Sequence, residues 1–231
     1  MTKKRLFGAA GFAALLLGAS SAQADIVAVT YAGTVVSGFD QTGLFGPANG
    51  NLAGDSYKVV YLFNTSLGQT TSSPTENSAS GGTSFPAPTP SIKTTVTING
   101  VSISSNLNGY FDQIYGYNDG SSSQQYSYTQ YYNQGATNTV NNYASNFVNT
   151  TNLTIPASIT TPFSYNVQPG DSQSATVSFS TTVNATGALL VNTFATANIT
   201  NVSAPGPVPG AGLAGMAALA LAGLFVRTRR A

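Results

Sequence analysis

Apolar and polar residues alternate with a period of two along several stretches of the chain between residues 25 and 204. The segment 175–183 alternates, while residues 59–63 of the strand predicted over residues 57–63 are nearly all apolar, as is typical of a strand inside a sandwich. No long segment of this region repeats apolar residues with the 3.6-residue period of a helix. We therefore predict an all-β body over residues 25–204, a single antiparallel β-sandwich with jelly-roll or Greek-key connections.

Turn signals divide this body into strands. A first strand over residues 26–39 precedes a glycine-rich turn over residues 40–54, where glycine supplies the positive φ angles that turns require. The dipeptide Asn99-Gly100 predicts a tight hairpin between two alternating strands. The residues predicted to share one face of the first of these two strands are Ile92, Thr94, Val96 and Ile98.

Two segments differ in composition from the rest of the body. Residues 67–90 are rich in Ser, Thr and Pro and predict a long flexible loop, partly in the polyproline conformation. Residues 110–147 contain eight of the twelve tyrosines, among many Asn, Gln, Ser and Gly residues. The tripeptide Asn118-Asp119-Gly120 predicts a turn that pairs the flanking runs as strands. Tyr115 and Tyr117 would then share one face, as would Tyr126 and Tyr128.

The first 24 residues have the three parts of a secretory signal peptide. Lys3, Lys4 and Arg5 give a basic start, an apolar run follows over residues 6–18, and Ala22-Gln23-Ala24 gives a small-x-small cleavage site. The apolar run is too short for a comfortable membrane span. We predict a signal helix that is removed by cleavage after Ala24. Ala22 and Ala24 are the small residues that define this cleavage site.

The other end of the chain predicts a transmembrane helix over the uncharged segment 211–226, followed by a basic stop at Arg227, Arg229 and Arg230. A helix of this length rises about 25 Å, and arginine stems can make up the difference from a hydrocarbon core of about 30 Å. The arginines favour a cytoplasmic location for this end. The segment before the helix is rich in proline and consists of Pro205, Gly206, Pro207, Val208, Pro209 and Gly210.

A proline motif, one apolar helix and a basic stop resemble the sorting tail of PEP-CTERM proteins. Residues 204–231 carry this resemblance, with Pro-Gly-Pro-Val-Pro-Gly in place of Pro-Glu-Pro. Residues 40–46 and 52–54, Asp-Gln-Thr-Gly-Leu-Phe-Gly and Leu-Ala-Gly, resemble the opening of exported members of this group. The resemblance implies an exosortase-like membrane protease as partner, transient anchoring in the bacterial inner membrane, and a final place at the cell surface or in an exopolysaccharide-rich biofilm matrix. A tail that stays uncut as a plain anchor is the alternative.

Charge and residue types restrict the chemistry of the body. It has two basic residues, Lys58 and Lys93, and seven acidic residues, so its net charge of −5 argues against nucleic acid as a partner. The chain has no His and no Cys, which excludes zinc sites and Ser-His or Cys-His catalysis. We predict no catalytic residues, no cofactor and no metal. The calcium candidate is Asp112 with Asn118 and Asp119, but turn formation explains these residues better.

These features together predict an exported, non-enzymatic surface or extracellular-matrix protein. The alternative is a carbohydrate-binding module in which Tyr115, Tyr117, Tyr126 and Tyr128 stack on sugar rings while amide side chains bond the hydroxyls. The same tyrosines are also compatible with ordinary core or sheet positions, and with an adhesive segment that associates through β-strands. A glycan hydrolase, the third class, needs a pair of carboxylates in a cleft.

Overall fold

A computed structural model describes residues 26–104 and 108–204, and every regular element in this part of the chain is a β-strand. No helix among these residues is long and apolar enough to cross a membrane. The signal peptide with Ala22 and Ala24, the proline motif 205–210 and the basic stop at Arg227, Arg229 and Arg230 lie outside the described residues. The strands are β1 (Ile26–Asp40), β2 (Gly50–Asn51), β3 (Ser56–Asn64), β4 (Gln69–Ser72), β5 (Glu76–Gly81), β6 (Ser91–Ile98), β7 (Val101–Ile103), β8 (Phe111–Asn118), β9 (Ser123–Gln134), β10 (Asn138–Thr150), β11 (Phe163–Asn166), β12 (Ser172–Val183) and β13 (Leu189–Ala204).

The strands form one antiparallel sheet in the order β4-β5-β8-β9-β10-β12-β13-β1-β3-β6-β7, with β2 beside β1 and β11 beside β13. The sheet is curled, as a contact between distant strands shows. The Tyr31 hydroxyl on β1 donates to the Ser127 hydroxyl on β9, 3.2 Å away, although three strands separate β1 from β9 in the sheet. The predicted all-β antiparallel class is confirmed. The structure differs from the predicted sandwich in that its two facing layers are halves of one sheet.

The two longest strands bend where the sheet curls. The pairing of β1 with β13 shifts register between Ala32 and Gly33 and again between Val35 and Ser37. Such bulges increase local twist and redirect a strand. A Cβ atom on Gly33 would lie 1.8 Å from the carbonyl oxygen of Asn198, so only glycine allows this close approach. Glycine at position 33 therefore allows the two long strands to stay paired through the bend.

The interior of the curled sheet is lined by aliphatic side chains and by tyrosines whose hydroxyls are all bonded. On β3, Tyr57, Val59, Tyr61 and Phe63 point inward and are buried, so alternate residues of this largely apolar strand line the core. Tyr57 donates to Asn146 Oδ1 on β10 over 2.9 Å, and Asn146 Nδ2 donates to the Tyr61 hydroxyl over 2.6 Å. One amide thus joins two tyrosines across the core, where an unpaired polar group would be costly.

The turn over residues 40–54 is built on the carboxylate of Asp40. This carboxylate accepts hydrogen bonds from the backbone N–H groups of Gly43, Leu44 and Phe45 and from the hydroxyl of Thr193. Burial raises the pKa of Asp40, but these four donors outweigh burial and the net pKa is below its ordinary value. The turn directs the Phe45 ring into the core. The Asp-Gln-Thr-Gly-Leu-Phe-Gly sequence therefore forms a structural turn, as predicted for the glycine-rich segment 40–54.

The hairpin at Asn99-Gly100 is confirmed, with φ of 52° and 76° at the two residues between β6 and β7. Along β6, Thr94, Val96 and Ile98 are buried as predicted. Ile92 is not, and its side chain is 46% exposed. The pairing of β3 with β6 shifts register beside Leu62 and Phe63, and this irregularity moves Ile92 off the inner face.

The prediction of a flexible loop over residues 67–90 was wrong where two of its segments form strands. Gln69–Ser72 forms β4 and Glu76–Gly81 forms β5, which pairs with β8 over six residues. Ser and Thr are acceptable strand residues when a neighbouring strand supplies hydrogen bonds. The low-complexity composition gave no local signal for this strand pairing. The pairing extends the sheet beside the tyrosine-rich strands.

Candidate functional site

The tyrosine-rich strand β9 has an inverted pattern, with polar residues inside the curl and aromatic residues outside. Its inward side chains are Ser123, Gln125, Ser127 and Thr129, and all four are buried. Ser127 accepts from Tyr31, and Thr129 shares a 3.0 Å hydrogen bond with Thr94 of β6. Because side chains alternate along a strand, these buried partners place Tyr126 and Tyr128 on the outer surface.

The four tyrosines singled out by sequence lie together on this outer surface. Tyr115 of β8 stands directly opposite Tyr126 of β9 in the strand register. The Tyr115 and Tyr117 rings are 6.4 Å apart and tilted by 8°, and the Tyr126 and Tyr128 rings are 6.3 Å apart and tilted by 20°. These spacings are close to the repeat of about 6.6–6.8 Å between alternate residues of a strand, so the rings form regular rows.

Additional aromatic residues, which the sequence did not single out, extend these rows. The Tyr128 ring lies 5.8 Å from Phe111 and 6.3 Å from Tyr143 of β10, and Phe85 lies 6.1 Å from Phe111. Phe147 stands opposite Tyr126 in the pairing of β10 with β9. The sequence signal for Phe147 was its spacing, because Tyr143, Ser145 and Phe147 lie two residues apart and so share one side of a strand. We call the outer surface formed by Phe111, Tyr115, Tyr117, Tyr126, Tyr128, Tyr143 and Phe147 the aromatic face.

Glutamine side chains lie between these rings. Gln113 is opposite Tyr128, and Gln124 is opposite Tyr117. Both amides line a shallow groove on the aromatic face together with Tyr115, Tyr126 and Phe147. Within the described part of the chain, neither amide has a side-chain hydrogen-bond partner. The groove therefore combines ring surfaces with amide donors and acceptors that are available to a ligand.

The charged groups at this surface are carboxylates. Glu76 of β5 is the register partner of Tyr117, and the Tyr117 hydroxyl donates to Asp119 Oδ2 over 2.8 Å. Asp119 also accepts from the backbone N–H groups of Ser122 and Ser121, and these hydrogen bonds lower the pKa of Asp119. The hydrogen bond to Asp119 in turn raises the pKa of Tyr117. The corner of the aromatic face around Tyr117 is therefore negative.

A second aromatic groove lies near the other end of β9. Tyr110 and Tyr132 have ring centroids 4.8 Å apart at an angle of 46°, and Tyr131 completes the aromatic wall. Asn108 and Asn133 supply amides to the same groove. Its composition repeats that of the groove on the aromatic face, so ring surfaces flanked by amides occur at two places along this half of the sheet.

The calcium candidate formed by Asp112, Asn118 and Asp119 is not brought together. Asp112 is near the start of β8 and is buried inside the curl, while the other two residues are at the far end of the strand, roughly 20 Å away at 3.3 Å per residue. Asp119 accepts turn hydrogen bonds from Ser121 and Ser122, which confirms the interpretation of Asp119 as a turn residue. Among the described residues, no group of three or more His, Cys, Asp or Glu side chains is placed to hold a metal ion.

Asp112 and Asp171 take structural hydrogen bonds. Asp112 accepts from the Thr89 hydroxyl and from the backbone N–H groups of Gly109, 2.8 Å away, and Gln130, 3.2 Å away. Burial nevertheless dominates and raises the pKa of Asp112 to about 6. The Asp171 carboxylate accepts from the Tyr165 hydroxyl over 2.7 Å.

The chain matches no protein-family model, no curated protein and no solved structure. The geometry of the aromatic face, with its rings, free amides and carboxylates, is therefore the basis for a functional proposal.

The raised pKa of Asp112 predicts that stability falls as the pH rises. The pKa of the Asp112 carboxyl is about 6 in the folded state, whereas its ordinary pKa is 3.8, so the folded state binds this proton more tightly. The unfolding free energy should therefore be highest near pH 4 and lower by about 2–3 kcal/mol at pH 7. Urea unfolding followed by tyrosine fluorescence between pH 4 and pH 7 measures this change. The Asp112→Asn variant should show a flat profile over that range.

Asp119→Asn is the matched control, because the pKa of Asp119 is lowered and its contribution changes only below about pH 4. The unfolding free energy of this variant should decrease between pH 4 and pH 7 as it does in the wild type. A wild-type profile that is flat or rises between pH 4 and pH 7 would contradict the assignment to Asp112.

Proposed function

We propose that this is an exported, non-enzymatic protein of the cell surface or extracellular matrix, tethered by its C-terminal tail and then processed by an exosortase-like protease. The two targeting segments, residues 1–24 and 205–231, support export and sorting. The body supports a non-enzymatic role, since the carboxylates of Asp40, Asp112 and Asp171 are used in structural hydrogen bonds.

For the body itself we propose carbohydrate binding through the aromatic face. The observation that carries this proposal is the alignment of Tyr115, Tyr117, Tyr126 and Tyr128 in two rows on one outer surface. Ring surfaces favour the C–H groups of sugars, and neighbouring amides bond the hydroxyls. Gln113 and Gln124 supply such amides in the same groove. An extended polysaccharide chain is the ligand that suits a shallow surface of repeated rings.

Core formation alone does not account for this surface. The inner sides of β8, β9 and β10 are already occupied by Ile114, Ser127, Asn146 and Val148, which are fully buried. The outward rings are half-buried against one another and remain accessible from outside the sheet. A contiguous patch of aromatic residues on an outer surface is typical of an interaction site.

Replacing Tyr115 and Tyr126 together by alanine should weaken polysaccharide binding by roughly 10- to 100-fold, since each lost ring contact contributes about 1 kcal/mol. Binding of the purified full-length chain to immobilised cellohexaose, measured by biolayer interferometry, tests this. The double variant Tyr115→Phe/Tyr126→Phe keeps the rings and should retain most of the affinity. Phe39→Ala removes an aromatic ring that is 38% exposed on β1 and should have no effect. Equal binding by wild type and the alanine variant would rule out the aromatic face as the site.

The sorting proposal predicts the mass of the mature protein in its native cells. Cleavage after Ala24 and within residues 205–210 should give a chain that starts at Asp25, lacks Arg229 and Arg230, and is found outside the membrane. Intact-mass spectrometry of the extracellular and membrane fractions provides the measurement. A membrane-bound protein that retains both arginines would instead indicate a permanent anchor and would count against an exosortase substrate.

A further inference from the structure

The two lysines and the carboxylates that flank the aromatic face lie on different outer surfaces of the curled sheet. Lys58 on β3 and Lys93 on β6 are exposed on the half that is opposite the aromatic face, since the inward residues of β3 contact β10 across the core. Within residues 26–104 and 108–204 these are the only basic side chains. The aromatic face thus has no positive side chain on β4, β5, β8, β9 or β10.

Carboxylates, in contrast, are present at its edge. Residues that are directly opposite in an antiparallel pair project to the same side of the sheet, so Glu76 projects beside the Tyr117 ring. Asp119 approaches the same ring from the turn and accepts a hydrogen bond from its hydroxyl over 2.8 Å. Glu76 also lines a groove with Ser78, Ser80 and Gln113, which connects this corner to the amides of the aromatic face.

We propose that the aromatic face selects glycans that carry free amino groups, with Glu76 and the Tyr117 ring as the contacts for the ammonium group. This inference rests on the proposed carbohydrate binding and names the ligand class of the same site. A protonated amino sugar gains an ion pair with Glu76 and a cation–π contact with a tyrosine ring. A uronic-acid polymer meets two carboxylates and no cation, and is repelled. A neutral glycan keeps only the stacking and amide contacts.

The test compares three hexasaccharides on the purified full-length chain: a glucosamine hexamer, cellohexaose and a galacturonic acid hexamer. Biolayer interferometry at low salt should rank the affinities as amino sugar, then neutral sugar, then acidic sugar. The Glu76→Gln variant should bind the glucosamine hexamer about threefold to fivefold more weakly, as expected for one partly exposed ion pair. Its loss of affinity for cellohexaose should be smaller, because that ligand has no ammonium group to pair with Glu76. Adding salt should reduce the preference for the glucosamine hexamer, because exposed charges are screened.

Asp55→Asn is the matched control, because it removes one carboxylate at the turn before β3, away from the aromatic face, and should leave all three affinities unchanged. An acidic hexamer that binds as well as the glucosamine hexamer overturns the inference, as does an unchanged affinity of Glu76→Gln for the amino sugar. In either case, cellohexaose binding that depends on Tyr115 and Tyr126 leaves the proposed function standing. If none of the three hexasaccharides binds, both proposals fall.

Discussion

The architecture depends on a buried amide that joins the two halves of the sheet. Asn146 on β10 accepts from Tyr57 and donates to Tyr61, both on β3, inside the core. The bonds from Tyr31 to Ser127 and between Thr94 and Thr129 make the same connection at β9. A slip of one residue in β9 or β10 would leave these buried polar groups without partners, so the network fixes which side of each strand faces inward.

The outer surface follows from this inner network. With Ser127 and Asn146 directed inward, Tyr126, Tyr128, Tyr143 and Phe147 must project outward. The half of the sheet around β3 has apolar and tyrosine side chains on its inner side. Strand β9 reverses this arrangement, and its outward tyrosines join the outward rings of β8 and β10 in an aromatic surface with carboxylates at one corner, while the two lysines lie on the opposite outer surface. One interior constraint therefore underlies both the carbohydrate-binding proposal and the proposed preference for amino sugars.

The strands and turns with strong local signals were predictable from sequence, including β1, β3 and the hairpin at Asn99-Gly100. Alternation also predicted that Tyr126 and Tyr128 share a face, but not which face, because hydrophobicity alone would place Tyr inside and Ser127 outside. The hydroxyl partners that reverse this order come from β1 and β6, far away in sequence. Distant pairing also explains β4 and β5, since β5 forms on β8 despite its low-complexity composition. The register shift that exposes Ile92 has no local signal.

The most direct test of this account is a double-mutant cycle on Tyr57 and Asn146. Urea unfolding of the wild type, Tyr57→Phe, Asn146→Ala and the double variant gives the coupling energy of the pair. We expect a coupling of about 1–3 kcal/mol, because each single variant leaves a buried polar group unpaired. Single effects that add within about 0.5 kcal/mol would show that the two groups do not interact, and would contradict a sheet closed by this network.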